Sequence, residues 1–515
     1  MAVGRCLLLV FLVVFGCVFN SLVSGHEHTD NEARVLILGA GAAGLQAAQS
    51  FVDAGLDNFI VVEGADRIGG RVQSRQFAGR TVETGPTWVL AETPSQRVLD
   101  IVSELGIDTR LSDYESMVVR SGRDGEDLTE DSWDLYDTLQ PALDGLKEIT
   151  AKLNAEKRVP DMSQRAALRL GGWLPETALE KVTEWFEFDV TYGDLPETTS
   201  VRHTTPVGDE YWVTDQDGLA QIFNKVAPFM QDPKYANHTR LGKKVTSIDY
   251  TNDISVVVTC EDGTRFVGEY VLLTFSLGVL QHGEVEFVPP LPDWKHVEIQ
   301  KFQIVDYTKV FVSFPSKFWD DVEWILHASD RRGYYPAFFN YQAEGFFPGG
   351  TPTLVAIVTG EEARRVEAQS SDATKAEVMG VLRGMYGNSI PEASDILVTQ
   401  WHVNPLTRGA FSNYPVEMVG ACFPKLASRV GRVFFGGEAT TSDEYGTVDG
   451  ALASGKREAT KILACLDDFS QCPANEEDGL GCGDRMQGHA AVTRASVASV
   501  LVGLAVALSL KDQLF

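Results

Sequence analysis

The chain has 515 residues, of which 44% are hydrophobic and 23% are charged. This composition is typical of a globular protein with room for two domains, and it excludes extensive disorder. The 44 Lys and Arg residues against 72 Asp and Glu residues give a formal net charge of -28, which excludes a nucleic-acid partner and favours cationic ligands.

Residues 1–25 have the pattern of a secretory signal peptide. Arg5 precedes an apolar run at 6–19, and small residues at 23–25 offer a cleavage site. A retained membrane anchor is the alternative, because a polar stretch follows directly at 26–31. We therefore expect the protein to enter the secretory pathway.

The next segment has the order of a dinucleotide-binding unit: strand, glycine turn, helix, strand and acid. Branched apolar residues at 35–38 predict a buried parallel strand, and the helix after the turn ends near Gly55. A second strand at 59–62 places Glu63 where its carboxylate can accept hydrogen bonds from a ribose. An ordinary glycine-rich turn is the alternative. The predicted cofactor-binding residues of the turn are Gly39, Gly41, Ala43 and Gly44.

A second pair of glycines indicates which dinucleotide to expect. Gly69 and Gly70 precede Arg71. A flavin dinucleotide lies extended across its domain, so it needs a second backbone approach and a cation beside its phosphates or ring. The Gly-Gly-Arg motif resembles the second flavin motif of the amine oxidase superfamily and predicts FAD. A surface loop with a solvated arginine is the alternative.

Further along the chain, the hydrophobic patterns are helical in some segments and strand-like in others. Residues 124–190 are predicted to be helical, and a second helix is predicted at 374–386, ending at Gly387. The predicted strands are 245–250, 255–259, 270–274, 303–314, 355–359 and 433–435. This alternation predicts an α/β protein in which a Rossmann-like FAD-binding domain is interrupted by an α+β substrate-binding domain with a mixed sheet.

The same patterns give domain boundaries. We expect FAD-binding segments at 34–115, 215–290 and 405–470, and substrate-binding segments at 116–214 and 291–404. A polar spacer at 471–494 and a hydrophobic tail at 495–515 follow.

The hydrophobic tail predicts attachment to a membrane. Its apolar part is shorter than the roughly 20 residues that a spanning helix needs, and small residues and a polar spacer precede it. This order fits a signal for a GPI lipid anchor, although the charged last five residues keep a single-pass anchor open. Either anchor predicts an extracellular or cell-surface protein. Asn237 begins a glycosylation sequon, which has meaning only in the secretory pathway.

The cysteines agree with an oxidising compartment. Cys465, Cys472 and Cys482 lie close together near the tail and predict one disulfide among them. Cys260 and Cys422 lie in apolar surroundings and are predicted to be buried thiols. No spacing of cysteines and histidines indicates a metal site.

Five short motifs in the second half of the chain carry a family resemblance. They are 309–319 (KVFVSFPSKFW), 331–335 (RRGYY), 401–413, 435–440 (FGGEAT) and 446–450 (GTVDG). These stretches resemble the plant-type polyamine oxidases of the flavin amine oxidase superfamily, and the similarity runs from about residue 34 to about residue 465. The resemblance implies FAD as the cofactor, with a polyamine and O2 as substrates.

The resemblance also implies roles around the flavin. Lys309, on the same predicted strand face as Tyr307, is implied to hold a water against the flavin N5 and is the predicted catalytic residue. A solvated lysine on an edge strand is the alternative. Glu438 is implied to contact the ribityl or phosphate region, and the backbone of Val245 the adenine. Other residues implied to line the flavin are Gly85, Trp401, Thr447 and Val448.

The implied substrate pocket has aromatic walls. Its predicted residues are Trp88, Leu90, Thr191, Tyr307 and Phe411. Aromatic walls exclude water, favour the neutral amine that donates hydride, and offer cation-π contact to the remaining charges of a polyamine. For the aromatic residues, ordinary core packing is the alternative.

Three positions depart from the family pattern. Leu90 and Thr191 stand where relatives carry acids that engage the amine, and Thr447 stands where some relatives place an aromatic of a substrate clamp. These changes weaken the expected recognition of a long polycation. The nearby acids that could take over are Glu92, Glu187 and Asp194.

The expected reaction is the FAD-dependent oxidation of spermine or spermidine. A hydride leaves the carbon beside a secondary amine nitrogen, the imine hydrolyses to an aminoaldehyde and an amine, and O2 is reduced to hydrogen peroxide. An L-amino-acid oxidase, with Arg331 or Arg332 as the carboxylate-binding cation, is one alternative. A monoamine oxidase, for which Cys422 is the only cysteine near the usual flavin tether, and a non-catalytic cell-surface flavoprotein are the others. The sequence predicts no oligomeric state.

Overall fold

The computed structural model describes residues 30–91, 93–155, 160–204, 208–347, 350–418 and 422–473. The predicted signal peptide, Glu92, Cys482 and the hydrophobic tail at 495–515 lie outside these ranges. Within them, no helix is both long enough and apolar enough to span a membrane.

Strands and helices alternate along the chain. The strands are β1 Glu32–Leu38, β2 Phe59–Val62, β3 Ser74–Phe77, β4 Arg80–Glu83, β5 Trp88–Leu90, β6 Thr109–Leu111, β7 Met117–Ser121, β8 Glu210–Val213, β9 Thr239–Arg240, β10 Val245–Asp249, β11 Val256–Cys260, β12 Arg265–Leu273, β13 Glu286–Val288, β14 Gln303–Val305, β15 Tyr307–Ser313, β16 Trp324–Ala328, β17 Ala337–Asn340, β18 Thr353–Thr359, β19 Asp395–Val398, β20 Phe411–Asn413 and β21 Val433–Phe435. The α-helices are α1 Ala42–Asp53, α2 Arg97–Leu105, α3 Thr129–Ala155, α4 Gln164–Leu170, α5 Ala178–Glu184, α6 Val190–Tyr192, α7 Phe223–Val226, α8 Leu277–Gln281, α9 Asp293–Lys301, α10 Gly360–Glu367, α11 Ser371–Tyr386, α12 Cys422–Ala427 and α13 Val448–Asp467.

The first main sheet has eight strands and carries the N-terminal motif at its centre. Its order is β13-β10-β11-β12-β1-β2-β9, and β21 pairs with the end of β12. β1 runs parallel to both β2 and β12, so the turns after β1 and β2 meet at one edge of the sheet. All these strands come from segments predicted to bind FAD, although the domain boundaries themselves stay a prediction.

Both faces of this sheet are covered. Alternate β1 side chains point to opposite faces: Val35 and Ile37 pack with α1 and α13, whereas Leu36 and Leu38 pack with α9 and α12. Burial on both faces explains the unbroken apolar run of β1. The sheet with its two helical layers confirms the predicted α/β class.

The second main sheet has six strands in the order β19-β15-β18-β17-β16-β7. It is mixed, because β16 and β7 run parallel and the other pairs run antiparallel. One face packs on α11, and the other carries an aromatic cluster that includes Phe311, Trp324 and Phe339. Lys309 belongs to this aromatic face, because it alternates along β15 with Val310 of the opposite face.

The prediction of one continuous strand at 303–314 is wrong, because the structure has two strands there. The chain breaks at Asp306, so that β14 pairs with β20 in a separate ribbon and β15 pairs with β18. Asp306 is buried at this break, where its carboxylate pairs with Arg364 and lies 2.9 Å from His402 Nδ1. Burial of these charged contacts fixes the bend, and no hydrophobic period can predict it.

The two remaining helical predictions are confirmed, and a third, smaller sheet is present. The helical prediction for 124–190 is confirmed by α3 to α6, and the predicted helix at 374–386 is confirmed by α11, which ends at Gly387. The third, smaller sheet has three strands in the order β5-β8-β6. Its register places Trp88 opposite Trp212 and Leu90 opposite Glu210.

The cysteines are paired more fully than the sequence predicts. Cys465 and Cys472 form the predicted disulfide at the end of α13. Cys260 is a buried thiol, as predicted. Cys422 was expected to be a thiol as well, but it is disulfide-bonded, which corrects that prediction.

Candidate active site

One large cavity is lined by residues from both main sheets. Its volume is about 520 Å³. We call one side the glycine end, defined by Gly39, Gly41, Glu63, Gly70 and Arg71, and the other the aromatic end, defined by Trp88, Tyr114, Glu210, Tyr307, Lys309 and Phe411. The two ends are continuous, so a molecule bound at the first can reach the second.

At the glycine end, the turn after β1 requires glycine for two separate reasons. Gly39 has a φ of +109°, and a Cβ there would lie 2.6 Å from Thr274 Oγ1. A Cβ on Gly44, in the first turn of α1, would lie 1.9 Å from the Gly39 oxygen. Gly41 differs, because a Cβ there would meet only the Gly70 Cα at 3.9 Å and would otherwise enter the cavity. The missing side chain leaves the turn's backbone open to a ligand.

Glu63 lies at the end of β2, and backbone donors fix its carboxylate. Oε2 accepts a hydrogen bond from the Ala40 N–H at 2.7 Å, and Oε1 accepts one from the Ala65 N–H at 2.8 Å. Each oxygen keeps a lone pair for another donor. The buried carboxylate is therefore oriented to accept a ribose hydroxyl, and that role stays a prediction.

The two charged residues predicted near the flavin are partners of each other. Arg71 Nη1 donates to Glu438 Oε1 at 2.9 Å and to the Ala410 oxygen at 3.0 Å. The other Glu438 oxygen accepts from the Gly446 N–H at 2.9 Å and from the Ser412 hydroxyl. One buried carboxylate thus joins the Gly-Gly-Arg motif to both C-terminal motifs, although these lie more than 300 residues apart in the chain.

A second helix begins at the cavity. Thr447 caps α13, since its hydroxyl accepts from the Gly450 N–H at 3.0 Å, and Val448 lines the cavity. α13 packs directly on α1, because a Cβ on Gly455 would lie 2.1 Å from the Ala43 oxygen. Two helix N-termini therefore face the same space, where anions and their oxygens are favoured.

The residues of the glycine end fit an FAD. The open backbone at Gly41, the N–H groups of two helix starts and the fixed Glu63 carboxylate suit a pyrophosphate and a ribose. The other predicted cofactor residues that line the cavity are Gly39, Ala43, Arg71, Gly85, Val245, Trp401, Glu438, Thr447 and Val448. Gly44 lies behind them as a packing position. Their individual contacts with FAD stay predictions.

Lys309 is a buried lysine held by oxygen acceptors. Its Nζ donates to the Gly85 oxygen at 2.6 Å, to the Glu83 oxygen at 3.2 Å and to the Thr87 hydroxyl. Burial lowers the pKa of Lys309 to about 7, although the Glu83 carboxylate opposes this shift. The amine can therefore be neutral near pH 7. A neutral amine has two N–H groups, which the two backbone oxygens can accept, and one lone pair, which can accept from the Thr87 hydroxyl or from a water.

Aromatic side chains form the walls around this lysine. The Trp88 ring centroid lies 5.7 Å from Lys309 Nζ. Trp401 is buried and donates from Nε1 to the Thr84 oxygen at 3.1 Å. Phe411 packs against Tyr307 with ring centroids 6.0 Å apart. Gly193 leaves room for Phe411, because a Cβ there would lie 2.8 Å from the phenyl Cζ.

The aromatic end contains an acid that the sequence did not point to. Glu210 lies directly opposite Leu90 on β8, lines the cavity and accepts a hydrogen bond from the Tyr114 hydroxyl. Burial raises the pKa of Glu210 to about 7, and the Tyr114 hydrogen bond limits the rise. The only sequence signal was a glutamate at the start of an apolar strand, which usually reads as a solvated strand end.

The described acids that the sequence offered instead do not line the cavity. Glu187 and Asp194 are not part of the cavity lining, and Glu92 is outside the described residues. Thr191 lines the cavity, as predicted for a substrate residue.

The two arginines considered for a carboxylate substrate are occupied. Arg332 pairs with Glu184 at 2.9 Å and with Asp189 at 2.6 Å, and Arg331 pairs with Glu362. Neither arginine lines the cavity. Among the described residues, no group of histidines, cysteines and acids could hold a metal ion. Asn237, the predicted glycosylation site, is exposed.

One protein-family model matches most of this chain. Residues 42–463 match the family model described as flavin containing amine oxidoreductase. The chain is 33% identical over 483 residues to polyamine oxidase 6 of Oryza sativa subsp. japonica, covering 89% of this chain and 95% of the relative. It is 35% identical over 460 residues to polyamine oxidase 1 of Zea mays, covering 84% of this chain and 90% of the relative.

Solved structures give the same fold. A double mutant of putrescine oxidase, made in a redesign of its cofactor binding, superposes with a TM-score of 0.67 at 21% sequence identity, covering 84% of this chain and 99% of that one. At this identity, the likeness supports the fold alone.

Proposed function

This chain belongs to the flavin containing amine oxidoreductase family, and we propose that it oxidises spermine or spermidine at the carbon beside a secondary amine nitrogen. In this reaction a C–H hydride leaves the substrate and the resulting imine adds water to give an aminoaldehyde and an amine. The two electrons of the hydride then reach O2 together with two protons, one from the hydride and one from the amine N–H, to give hydrogen peroxide. The related proteins that bear the name polyamine oxidase support this substrate class.

The observation that carries the proposal is the continuity of the cavity. A glycine end suited to FAD opens into an aromatic end that contains Lys309 and Glu210. The flavin, when bound, supplies the hydride acceptor and the electron route to O2. The protein supplies the position of the amine beside it and the surroundings in which the amine is neutral.

Lys309 is proposed to manage a proton without touching the substrate carbon. Three oxygen acceptors fix its Nζ, so the amine cannot swing away from the cavity. Near pH 7 a neutral Lys309 accepts a hydrogen bond from water and can take up a proton. Trp401 and Phe411 keep bulk water away from this position.

Two other reactions receive less support. An L-amino-acid oxidase needs a free cation at the cavity for the substrate carboxylate, and Arg331 and Arg332 are paired with acids outside it. A cysteine-tethered flavin, as in a monoamine oxidase, is disfavoured because Cys422 is disulfide-bonded.

We also propose that the protein is secreted and attached to the outer face of a membrane through the tail at 495–515. Disulfide bonding at Cys422, Cys465 and Cys472 supports an oxidising compartment, and an exposed Asn237 suits a glycosylated protein.

The proposed substrate is tested by peroxide release from the purified, flavin-loaded protein. The panel is spermine, spermidine, their acetylated forms, putrescine, tyramine and L-amino acids. We expect activity on spermine or spermidine. Activity on a different amine alone would contradict the proposed substrate but keep the protein an amine oxidase. If the flavin-loaded protein released no peroxide with any of these amines, a non-catalytic flavoprotein would be favoured.

The proposed role of Lys309 is tested by Lys309→Met. We expect flavin reduction or reoxidation in stopped flow to slow by about 100-fold, the usual contribution of a positioned proton-transfer group. Lys456→Met, on the exposed surface of α13, is the matched control and should leave both rates unchanged. Equal rates for Lys309→Met and the wild type would contradict the assignment.

A further inference from the structure

Glu210 differs from the other buried or partly buried acids that line the cavity, because among the described residues its carboxylate has neither a cation nor a backbone N–H as a partner. Those near the glycine end have fixed partners: Glu438 pairs with Arg71, Glu284 pairs with Arg408, and Glu63 accepts from backbone donors. Within the described ranges, the Glu210 carboxylate has only the Tyr114 hydroxyl as a partner. A partly buried carboxylate with a single neutral donor is costly unless a positive ligand neutralises it.

The position of Glu210 follows from the β5–β8 register. Directly opposed residues of an antiparallel pair point to the same face of the sheet, so Glu210 and Leu90 share the cavity face. Leu90 stands where relatives carry an acid, according to the resemblance. The cavity face of this sheet therefore carries a carboxylate directly opposite Leu90.

Two unpaired polar groups belong to residues that line the same end of the cavity as Glu210. The buried Tyr307 hydroxyl has no hydrogen-bond partner among the described residues, and neither does the buried Trp88 Nε1. Burial, and after it the negative charge of Glu210, raises the pKa of Tyr307, and both side chains line the cavity. Tyr307 precedes Lys309 by two positions on β15, so the two side chains share a face about 6.6 Å apart along the strand.

We propose that Glu210 binds a protonated nitrogen of the substrate distal to the nitrogen whose carbon is oxidised. This proposal rests on the proposed function, and it names the residue that recognises a second nitrogen of the substrate. Lys309 marks the position of the reacting amine, Tyr307 lies one same-face step from it along β15, and Glu210 lines the same end of the cavity. The aromatic rings of Trp88 and Tyr114 give the distal ammonium a polarisable wall. Selectivity for diamines and polyamines over monoamines then comes from one carboxylate on β8.

The test measures binding of two amines that differ only in the distal nitrogen. Dissociation constants for 1,8-diaminooctane and octylamine come from anaerobic titration of the flavin absorbance of the full-length, flavin-loaded protein. We expect the wild type to bind the diamine at least about 10-fold more tightly, as for one charge-assisted hydrogen bond. Equal affinities in the wild type would overturn the proposal without any variant.

Three variants locate the effect. Glu210→Gln should bring the two affinities within about twofold of each other and leave octylamine binding unchanged. Asp209→Asn removes the same charge from the adjacent, exposed residue and should keep the wild-type ratio. The exchange Leu90→Glu with Glu210→Leu should restore preference for the diamine, because it returns a carboxylate to the same face. A Glu210→Gln variant that keeps the ratio, or loses both amines equally, would overturn the proposal.

A separate experiment tests the proposed function itself. Anaerobic reduction of the wild-type flavin by spermidine tests it directly, and absence of reduction would refute the oxidation whatever the binding ratio is. Reduction in the wild type together with an unchanged ratio in Glu210→Gln would refute only the role of Glu210.

Discussion

The five residues that define the glycine end of the cavity come from one continuous stretch, residues 39–71, and three of them are glycines. The residues that define the aromatic end come from β5, β8, β15, β20 and the loop before β7, which belong to different sheets. The glycine end closes on itself through local contacts, such as the Gly69 N–H donating to the Ala40 oxygen at 2.8 Å. The aromatic end exists only once separate sheets have packed together.

This difference explains how each end of the cavity responds to substitutions. A backbone cradle depends on the absence of side chains, so a substitution there acts through steric clash. A side-chain pocket depends on registers between distant strands, so a functional group can move to a facing strand while the shape persists. Leu90 and Glu210, which face each other in the β5–β8 register, are two such positions.

The largest effect is expected from Gly44→Ala at the glycine end. The added Cβ would lie 1.9 Å from the Gly39 oxygen, so the turn must open. We expect loss of about 3 kcal/mol or more in the free energy of unfolding and loss of flavin absorbance in the purified protein. Urea unfolding measures the free energy of unfolding, and the visible spectrum measures the flavin content.

The matched control is Gly380→Ala in α11, where an added Cβ meets nothing within 4 Å. It should stabilise the protein by about 0.5–1 kcal/mol through helix propensity. If Gly44→Ala kept its flavin and its stability, the steric account of the glycine end would be wrong.

An intermediate effect is expected at Lys309, and it depends on pH. The folded-state pKa of about 7 lies below the ordinary value of 10.5, so the penalty for burying the ammonium is greatest below pH 7. The penalty shrinks as the pH rises from 7 to 10.5, because the folded protein already carries the neutral amine. A pKa that is lower by one in the folded state corresponds to a penalty of about 1.4 kcal/mol.

Lys309→Met should therefore be more stable than the wild type at pH 6 by about 3 kcal/mol, since the lost hydrogen bonds of Nζ offset part of the penalty. The difference should fall as the pH rises towards 10.5. Urea unfolding of both proteins across this range measures the difference, in which other titrating groups cancel. A difference independent of pH would mean that Lys309 keeps an ordinary pKa.

The smallest effect is expected from Gly193→Ala at the aromatic end. Its φ of +72° costs an alanine about 1–2 kcal/mol, and the Cβ would also press on Val305 Cγ2 at 2.7 Å and Phe411 Cζ at 2.8 Å. We expect kcat/KM to fall by about fivefold because the aromatic wall shifts.

Gly172→Ala separates strain from contact. Gly172 has a similar φ of +86°, but an added Cβ there meets nothing within 4 Å. It should lose about 1–2 kcal/mol of stability from the backbone strain alone, while kcat/KM stays unchanged. Equal kcat/KM values for both variants would show that Gly193 does not position the wall.

Several elements could be predicted from the sequence because their determinants are local. The β1 strand, its glycine turn, α1 and β2 lie within about 30 residues, so hydrophobic period and glycine spacing are sufficient. The Cys465–Cys472 disulfide closes a separation of seven residues, and α11 carries its own cap at Ser370. In each case the interacting groups are neighbours in the chain.

The sequence by itself thus determined the dinucleotide-binding unit, the α/β class and the family motifs that surround Lys309. Only the tertiary structure decided that Glu210 faces Leu90, that the strand at 303–314 breaks at Asp306, and that Cys422 is disulfide-bonded. The physical reason is common to all three. Strand register, burial of a charge and cysteine pairing depend on contacts between distant segments, and such contacts leave no periodic signal in the chain.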